Sequence, residues 1–263
     1  MFQLKKILFP VDFSAQCRGA AAYVEAMVGR FDAELVLLHV VEAAYNSALD
    51  DMKGAKPRDF EDLFDKSLKH LHVTTKVDYG EAAQKIVQCA AANRADLIMI
   101  PTKGTGIYRR LILGSTSAKV LHDADCPVWT GVHLENAPPL EMIACRRILC
   151  AVDLKPWSAK VLEWASHLAE EYQAELTLAH AVDRESARAE ATRGLERLAE
   201  SASGKVTLRV EVAEKSKMVT QLTTEGKSDL AVIGRKPDSG VLGRLDMEAY
   251  SIIRQSPCPV VSV

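Results

Sequence analysis

The sequence predicts an α/β fold in duplicate: two tandem doubly wound domains, each a five-stranded, mainly parallel sheet with helices on both faces. Three observations carry that prediction. Blocks of sequence return once, in the same order. Within each copy, short apolar runs alternate with stretches of helical periodicity. Between the copies, "HLENAPPLEMIAC" (133 to 145) places Pro138-Pro139 among polar residues, which interrupts regular structure.

The repeat is explicit. "ILFPVDFS" (7 to 14) returns as "ILCAVDLK" (148 to 155), and "AELVLLHVVE" (33 to 42) as "AELTLAHAVD" (174 to 183). Asp153 follows Asp12, and His180 follows His39, at one common distance of 141 residues (153 − 12 and 180 − 39). "ADLIMI" (95 to 100) returns as "SDLAVI" (228 to 233), 133 residues later, and "DCPVW" as "PCPVV", 132 residues later. The spacing shrinks because the second copy lacks most of the segment from 43 to 59. A period this long is too large for a solenoid repeat and fits two domains, 1–134 and 146–263, joined by a linker at 135–145.

The elements follow in order. "KILFPV" is a short buried run ending at a turn, and "SAQCRGAAAYVEAMVGRF" spaces its apolar residues as a helix does. "AELVLLHVV" is a second buried run. A helical stretch follows near 60 to 70, then the extended "HVTTKVDYG" and the helix "EAAQKIVQCAAANR". "DLIMI" is a strand, "STSAKVLHDA" a helix and "PVWTGV" the last strand. Strands separated by helices build a parallel sheet through right-handed crossovers. Ligands on such sheets sit at the carboxyl ends of the strands, where the strand order reverses.

Composition narrows the function. Of 263 residues, 48% are hydrophobic and 26% charged, with 33 basic against 35 acidic side chains. That balance fits a globular chain and gives no basic surplus for nucleic acid or anionic membrane. The N-terminal apolar run is short and leads into Asp12, unlike a secretion signal, and no run reaches the length of a membrane span. Six scattered cysteines without a C-x-x-C pair read as reduced thiols of a cytoplasmic protein.

"PTKGTGIYRRLILGSTSAKVL" (101 to 121) carries the chemistry. Gly104 and Gly114-Ser115 lie between a strand and a helix. Glycine permits close approach of backbone to an anion, and a helix N-terminus offers free N–H groups and the positive end of a dipole. Ser115, Thr116 and Ser117 can cap the helix or donate to phosphate oxygens. The spacing matches neither G-x-x-x-x-G-K-[ST] nor G-x-G-x-x-G.

Together, "ILFPVDFS", "LLHVVE", "ADLIMIPTKG", "LILGSTSAKVL" and "CPV" resemble the universal stress protein family, along the full length and twice over. The resemblance implies a Rossmann-like fold of the adenine nucleotide alpha hydrolase kind. It also implies the motif G-x2-G-x9-G-[ST] of the family's ATP-binding members. Carried over by position, Pro10, Val11, Val40 and Ile100 would line the adenine pocket, and Asp12 would meet the ribose or adenine edge. Gly104, Gly114, Ser115, Thr116 and Ser117 would hold the phosphates, with Mg²⁺ as a companion ion. Pro101 stands at the motif's first glycine and brings no N–H. In the second copy Gly234 supplies that glycine, but Pro237 takes the second. Asp246-Met247-Glu248 takes the place of Gly-Ser, and acidic groups there would repel phosphates. The resemblance therefore implies ATP or another adenine nucleotide in the first copy and a degenerate loop in the second. It further implies a stress-response sensor or regulator with at most slow ATP hydrolysis, whose two domains pair through their last strands. Further homodimerisation and a protein partner stay open. The alternative is a tandem scaffold that binds no nucleotide and works through protein partners or another small ligand.

Other side chains have plainer readings. His39 and His180, each alone in an apolar strand, read as satisfied core residues. His70 and His72 have no ligand set at metal spacing beside them. Arg109 and Arg110 read equally as phosphate contacts or solvated loop cations. Asp153 reads as a structural cap, and Asp12 as both cap and ligand contact. No Ser-His-Asp or paired-carboxylate arrangement stands out.

Overall fold

The structure, a computed structural model, describes residues 4–42, 60, 71–102, 113–131, 134, 138–235 and 247–263. Gly104, Arg109, Arg110, His70, Pro237, Asp246 and the segment 43–59 lie outside the described residues. The chain divides into two compact units, the first ending at Ile143 and the second beginning at Ala144.

The first unit contains β1 (Lys6–Pro10), α1 (Ala15–Phe31), β2 (Glu34–Val41), β3 (Val73–Tyr79), α2 (Ala82–Asn93), β4 (Leu97–Pro101), α3 (Ser115–Asp123) and β5 (Val128–Gly131). The second contains β6 (Arg147–Ala151), α4 (Ser158–Tyr172), β7 (Glu175–Val182), α5 (Arg188–Ala199), β8 (Val206–Val212), α6 (Lys215–Glu225), β9 (Leu230–Ile233), α7 (Met247–Gln255) and β10 (Val260–Ser262). A 3₁₀ turn, Leu140–Met142, follows the two prolines near the end of the first unit.

Each unit is a five-stranded sheet, ordered β3-β2-β1-β4-β5 in the first and β8-β7-β6-β9-β10 in the second. The pairings inside each unit are parallel, with Ile7 opposite both Leu35 and Leu97, and Ile148 opposite both Leu176 and Leu230. The central strands are continuous apolar runs because both faces carry helices. Ile7, Leu8, Phe9, Ile98 and Met99 are fully buried, as are Cys150, Ala231, Val232 and Ile233. A fully buried side chain of this size contributes about 1.5–3 kcal/mol. The outer strand β3, VTTKVDY, has no fully buried residue, as suits a sheet edge.

Both units are clamped at the amino ends of their strands in the same way. One carboxylate oxygen of Asp96 accepts the N–H groups of Lys5 and Lys6 at 2.8 and 2.9 Å. Asp229 does the same for Arg146 and Arg147 at 2.7 and 2.9 Å. Each thus ties the fourth strand of its unit to the first. All six cysteines are free thiols. Burial pushes Cys17 and Cys150 up to about 12, so both stay protonated near neutral pH. Among the described residues, no helix is long and apolar enough to cross a membrane.

Candidate nucleotide site

In the first unit the strand order reverses between β1 and β4, and a cleft of about 280 Å³ opens there. Its walls include Pro10 at the end of β1, Val11 and Asp12 after it, and Leu38 and Val40 of β2. Ile100 and Pro101 at the end of β4 and Gly114 to Ser117 at the start of α3 complete them. The structure therefore brings together every one of these residues that the sequence singled out, while Gly104 lies outside the described residues. Gln16, Glu42, Ala82 and Ile86 also line the cleft and carry no motif. Only the three-dimensional placement of α1 and α2 reveals them.

Each wall has a local cause. The loop after β1 is held by two bonds: Val11 N–H donates to the Leu38 carbonyl at 2.8 Å, and His39 Nδ1 donates to the Val11 carbonyl at 2.8 Å. His39 is thus a satisfied residue that fixes the floor. Ser14, not Asp12, caps α1, its Oγ accepting from Cys17 N–H at 3.2 Å. Asp12 Oδ1 accepts from Ser14 N–H at 3.0 Å, closing a turn that holds its carboxylate at the cleft. The cap expected of Asp12 has passed to its neighbour. Val11 and Ile100 are 3% and 5% exposed, so the centre of the cleft is apolar.

At the far wall, α3 begins at Gly114, whose missing side chain leaves the first turn uncapped. Its first N–H groups and the positive end of its dipole face the cleft. Ser117 Oγ donates to the Pro101 carbonyl at 3.1 Å and is buried, so its hydroxyl braces the motif. Ser115 and Thr116 are the hydroxyls left on that turn. Glu81 caps α2 by accepting from Ala83 and Gln84 N–H, and it pairs with Lys119 of α3 at 3.1 Å. Glu42 accepts from Ala82 N–H at 3.0 Å. The described lining has two carboxylates, Asp12 and Glu42, and no cation.

The second unit carries different side chains at the same place. At the matched spacings, Trp157 stands where Gln16 lines the first cleft, Lys215 where Ala82 does, and Glu248 where Thr116 does. A Cβ built on Gly234, the counterpart of Pro101, would lie 3.6 Å from Cδ1 and 3.8 Å from Nε1 of Trp157, and 3.0 Å from Val161. The indole therefore stands beside Gly234 with room for one carbon between them, and the tight neighbour is Val161. Lys215 and Glu248 approach to 4.0 Å between α6 and the first turn of α7. Asp153 accepts from Lys155 N–H at 3.2 Å and from Ser158 Oγ at 3.0 Å, which occupies it in bracing its loop. Among the described residues, no group of three or more His, Cys, Asp or Glu could hold a metal ion.

A doubly wound unit with a crevice at its switch point and a helix N-terminus on one wall is the architecture of a ligand-binding α/β protein. The model of the Universal stress protein family matches this chain twice, over residues 3–130 and 144–263. The chain belongs to the universal stress protein family. A universal stress protein of Thermus aquaticus is 32% identical over 142 residues, covering 47% of this chain and 96% of that protein. One from Methanocaldococcus jannaschii is 28% identical over 141 residues, covering 47% and 79%. The crystal structure of a universal stress protein from Archaeoglobus fulgidus DSM 4304 shares the fold, with TM-score 0.77 at 20% identity. That likeness covers 99% of this chain and 98% of the other.

Proposed function

We propose that the first unit binds ATP or another adenine nucleotide and that the chain acts as a cytoplasmic sensor or regulator, with at most slow ATP hydrolysis. The observation that carries this reading is the cleft at the β1/β4 switch point, apolar at its centre and ending on the uncapped N-terminus of α3. An adenine ring fits between Val11, Val40 and Ile100. Asp12 accepts from a ribose hydroxyl. The phosphates run toward Gly114, Ser115 and Thr116, because the carboxylates of Asp12 and Glu42 repel them from the opposite end. The N-terminus of a helix carries about half a positive charge for them to meet. The volume is near the lower bound of about 300 Å³ for small-molecule sites, which suits one nucleoside with its phosphates led outward. Mg²⁺, where present, would be held chiefly by the phosphates and water.

The second unit takes no nucleotide in this reading, because Pro237 and Asp246-Met247-Glu248 replace the motif's glycine and Gly-Ser and bring acidic groups that repel phosphates. The test is mass spectrometry of ligands released on denaturing the purified protein, with calorimetric titration by ATP and Mg²⁺. About one nucleotide per chain is expected. Gly114→Asp, which places a negative charge at the helix mouth, should weaken binding at least tenfold. No released nucleotide and no heat up to about millimolar ATP, meaning binding weaker than roughly −4 kcal/mol, would leave the partner-binding scaffold as the reading.

A further inference from the structure

A cleft of about 430 Å³ in the second unit is lined by neither Trp157, Gly234, Lys215 nor Glu248. It lies on the other flank of the loop after β6, between the end of β7 and α5. The first unit shows why it is open. There Phe13 lies 5.0 Å from the His39 ring and meets Phe60 edge-on at 5.4 Å, and Phe60 is buried. In the second unit Leu154 takes the place of Phe13, in the same left-handed conformation (φ 56° against 57°). Gly194 of α5 approaches it so closely that a Cβ there would lie 3.0 Å from Leu154 Cδ1. Aromatic packing has been exchanged for an aliphatic side chain and a bare helix turn, and the cleft is what remains.

The lining has a definite chemistry. Val182, Ala191 and Leu198 give an apolar wall, and Lys155 and Arg197 stand at the rim. Neither of these cations makes an ion pair among the described residues. His180 is fixed by donating from Nδ1 to the Val152 carbonyl at 2.8 Å, which leaves Nε2 as its other polar atom. Glu190 at the same rim offsets one of the two cations, so the surplus is a single positive charge. That suits a monoanion with an apolar body and disfavours a di- or triphosphate.

We propose that this cleft is a second ligand site, which takes a small apolar monocarboxylic acid with its carboxylate between Lys155 and Arg197. The test is an NMR titration of the full chain with octanoate, run beside 1-octanol. Saturable octanoate binding is expected, at least tenfold tighter than octanol, and weakened about tenfold or more in the double variant Lys155→Gln, Arg197→Gln. Leu154→Phe, which restores the ring found in the first unit, should abolish octanoate binding and leave ATP titration unchanged. Absence of saturation by about 10 mM octanoate, octanol binding as well as octanoate, or equal octanoate affinity in wild type and the charge variant would overturn the assignment. The charge variant alters only surface side chains, so the test stands even if Leu154→Phe fails to fold.

Discussion

Glu81 joins two elements through one carboxylate. It accepts from Gln84 N–H at 2.9 Å and Ala83 N–H at 3.3 Å, and it pairs with Lys119 at 3.1 Å. The Gln84 hydrogen bond, aided by Lys119, holds its carboxyl below the ordinary value of 4.5 despite some desolvation. A carboxyl depressed in the folded state adds stability that is present above its unfolded value and is lost as pH falls through its folded value. Urea midpoints of the wild type should therefore drop on acidification below about pH 4.5, and those of Glu81→Gln should drop less over the same interval. Parallel curves would remove this carboxyl from the acid response. The effect is small, because an exposed pair is screened by solvent. The same residue scale separates Asp12 from Asp153. Both follow a buried strand in near-identical sequence, but the second is engaged by Ser158 Oγ and the first opens onto a cleft.

The elements repeat down to their joints. Helices α1 and α4 end at Asp32 and Gln173, and α2 ends at Arg94, all in left-handed backbone; Lys227, just past α6, adopts it too. Such a conformation costs a side-chain-bearing residue about 1–2 kcal/mol relative to glycine. Arg94→Gly should therefore stabilise the chain by roughly 1 kcal/mol, read as a higher urea midpoint, while a loss would mean that the arginine side chain is itself holding the joint. These joints also mark where the sequence was hard to read. The apolar runs and helical periods announced β1, β2, β4, β5, α1, α2 and α3 nearly to the residue, because burial on both faces leaves little choice of side chain. The helix ends carry arginine, glutamine and lysine where glycine or asparagine is the usual sign, so only the geometry reveals them. The cleft residues split the same way. Asp12, Gly114 and Ser115 were legible from spacing. Gln16, Ala82 and Ile86 were not, since one side chain on each of several helix turns leaves no local pattern. Trp157, Lys215 and Glu248 stand opposite cleft residues in the internal alignment, but only the structure sets Trp157 beside Gly234 and Lys215 beside Glu248.

On the scale of the whole molecule, one fold serves two different surfaces. The first unit keeps a crevice at the switch point and fills the flank beside β2 with Phe13 and Phe60. The second sets Trp157 beside Gly234 at the matching strand end and has a cleft beside β7. The two candidate sites therefore draw on separate sets of side chains, each within its own unit. Distant sites without shared residues behave additively. Octanoate affinity measured in saturating ATP should match that in its absence within about twofold, and direct competition would mean that both ligands share one cleft. The placement of Trp157 also decides how the protein is best watched. Of its three tryptophans, Trp157 and Trp164 belong to the second unit and only Trp129 to the first, where it is deeply buried beside Tyr23. Intrinsic emission is thus weighted toward the half that does not carry the proposed nucleotide cleft, and a fluorescence melt follows chiefly that half. The indole beside Gly234 is a native optical probe of the second copy, set at the strand end that matches the proposed nucleotide site of the first.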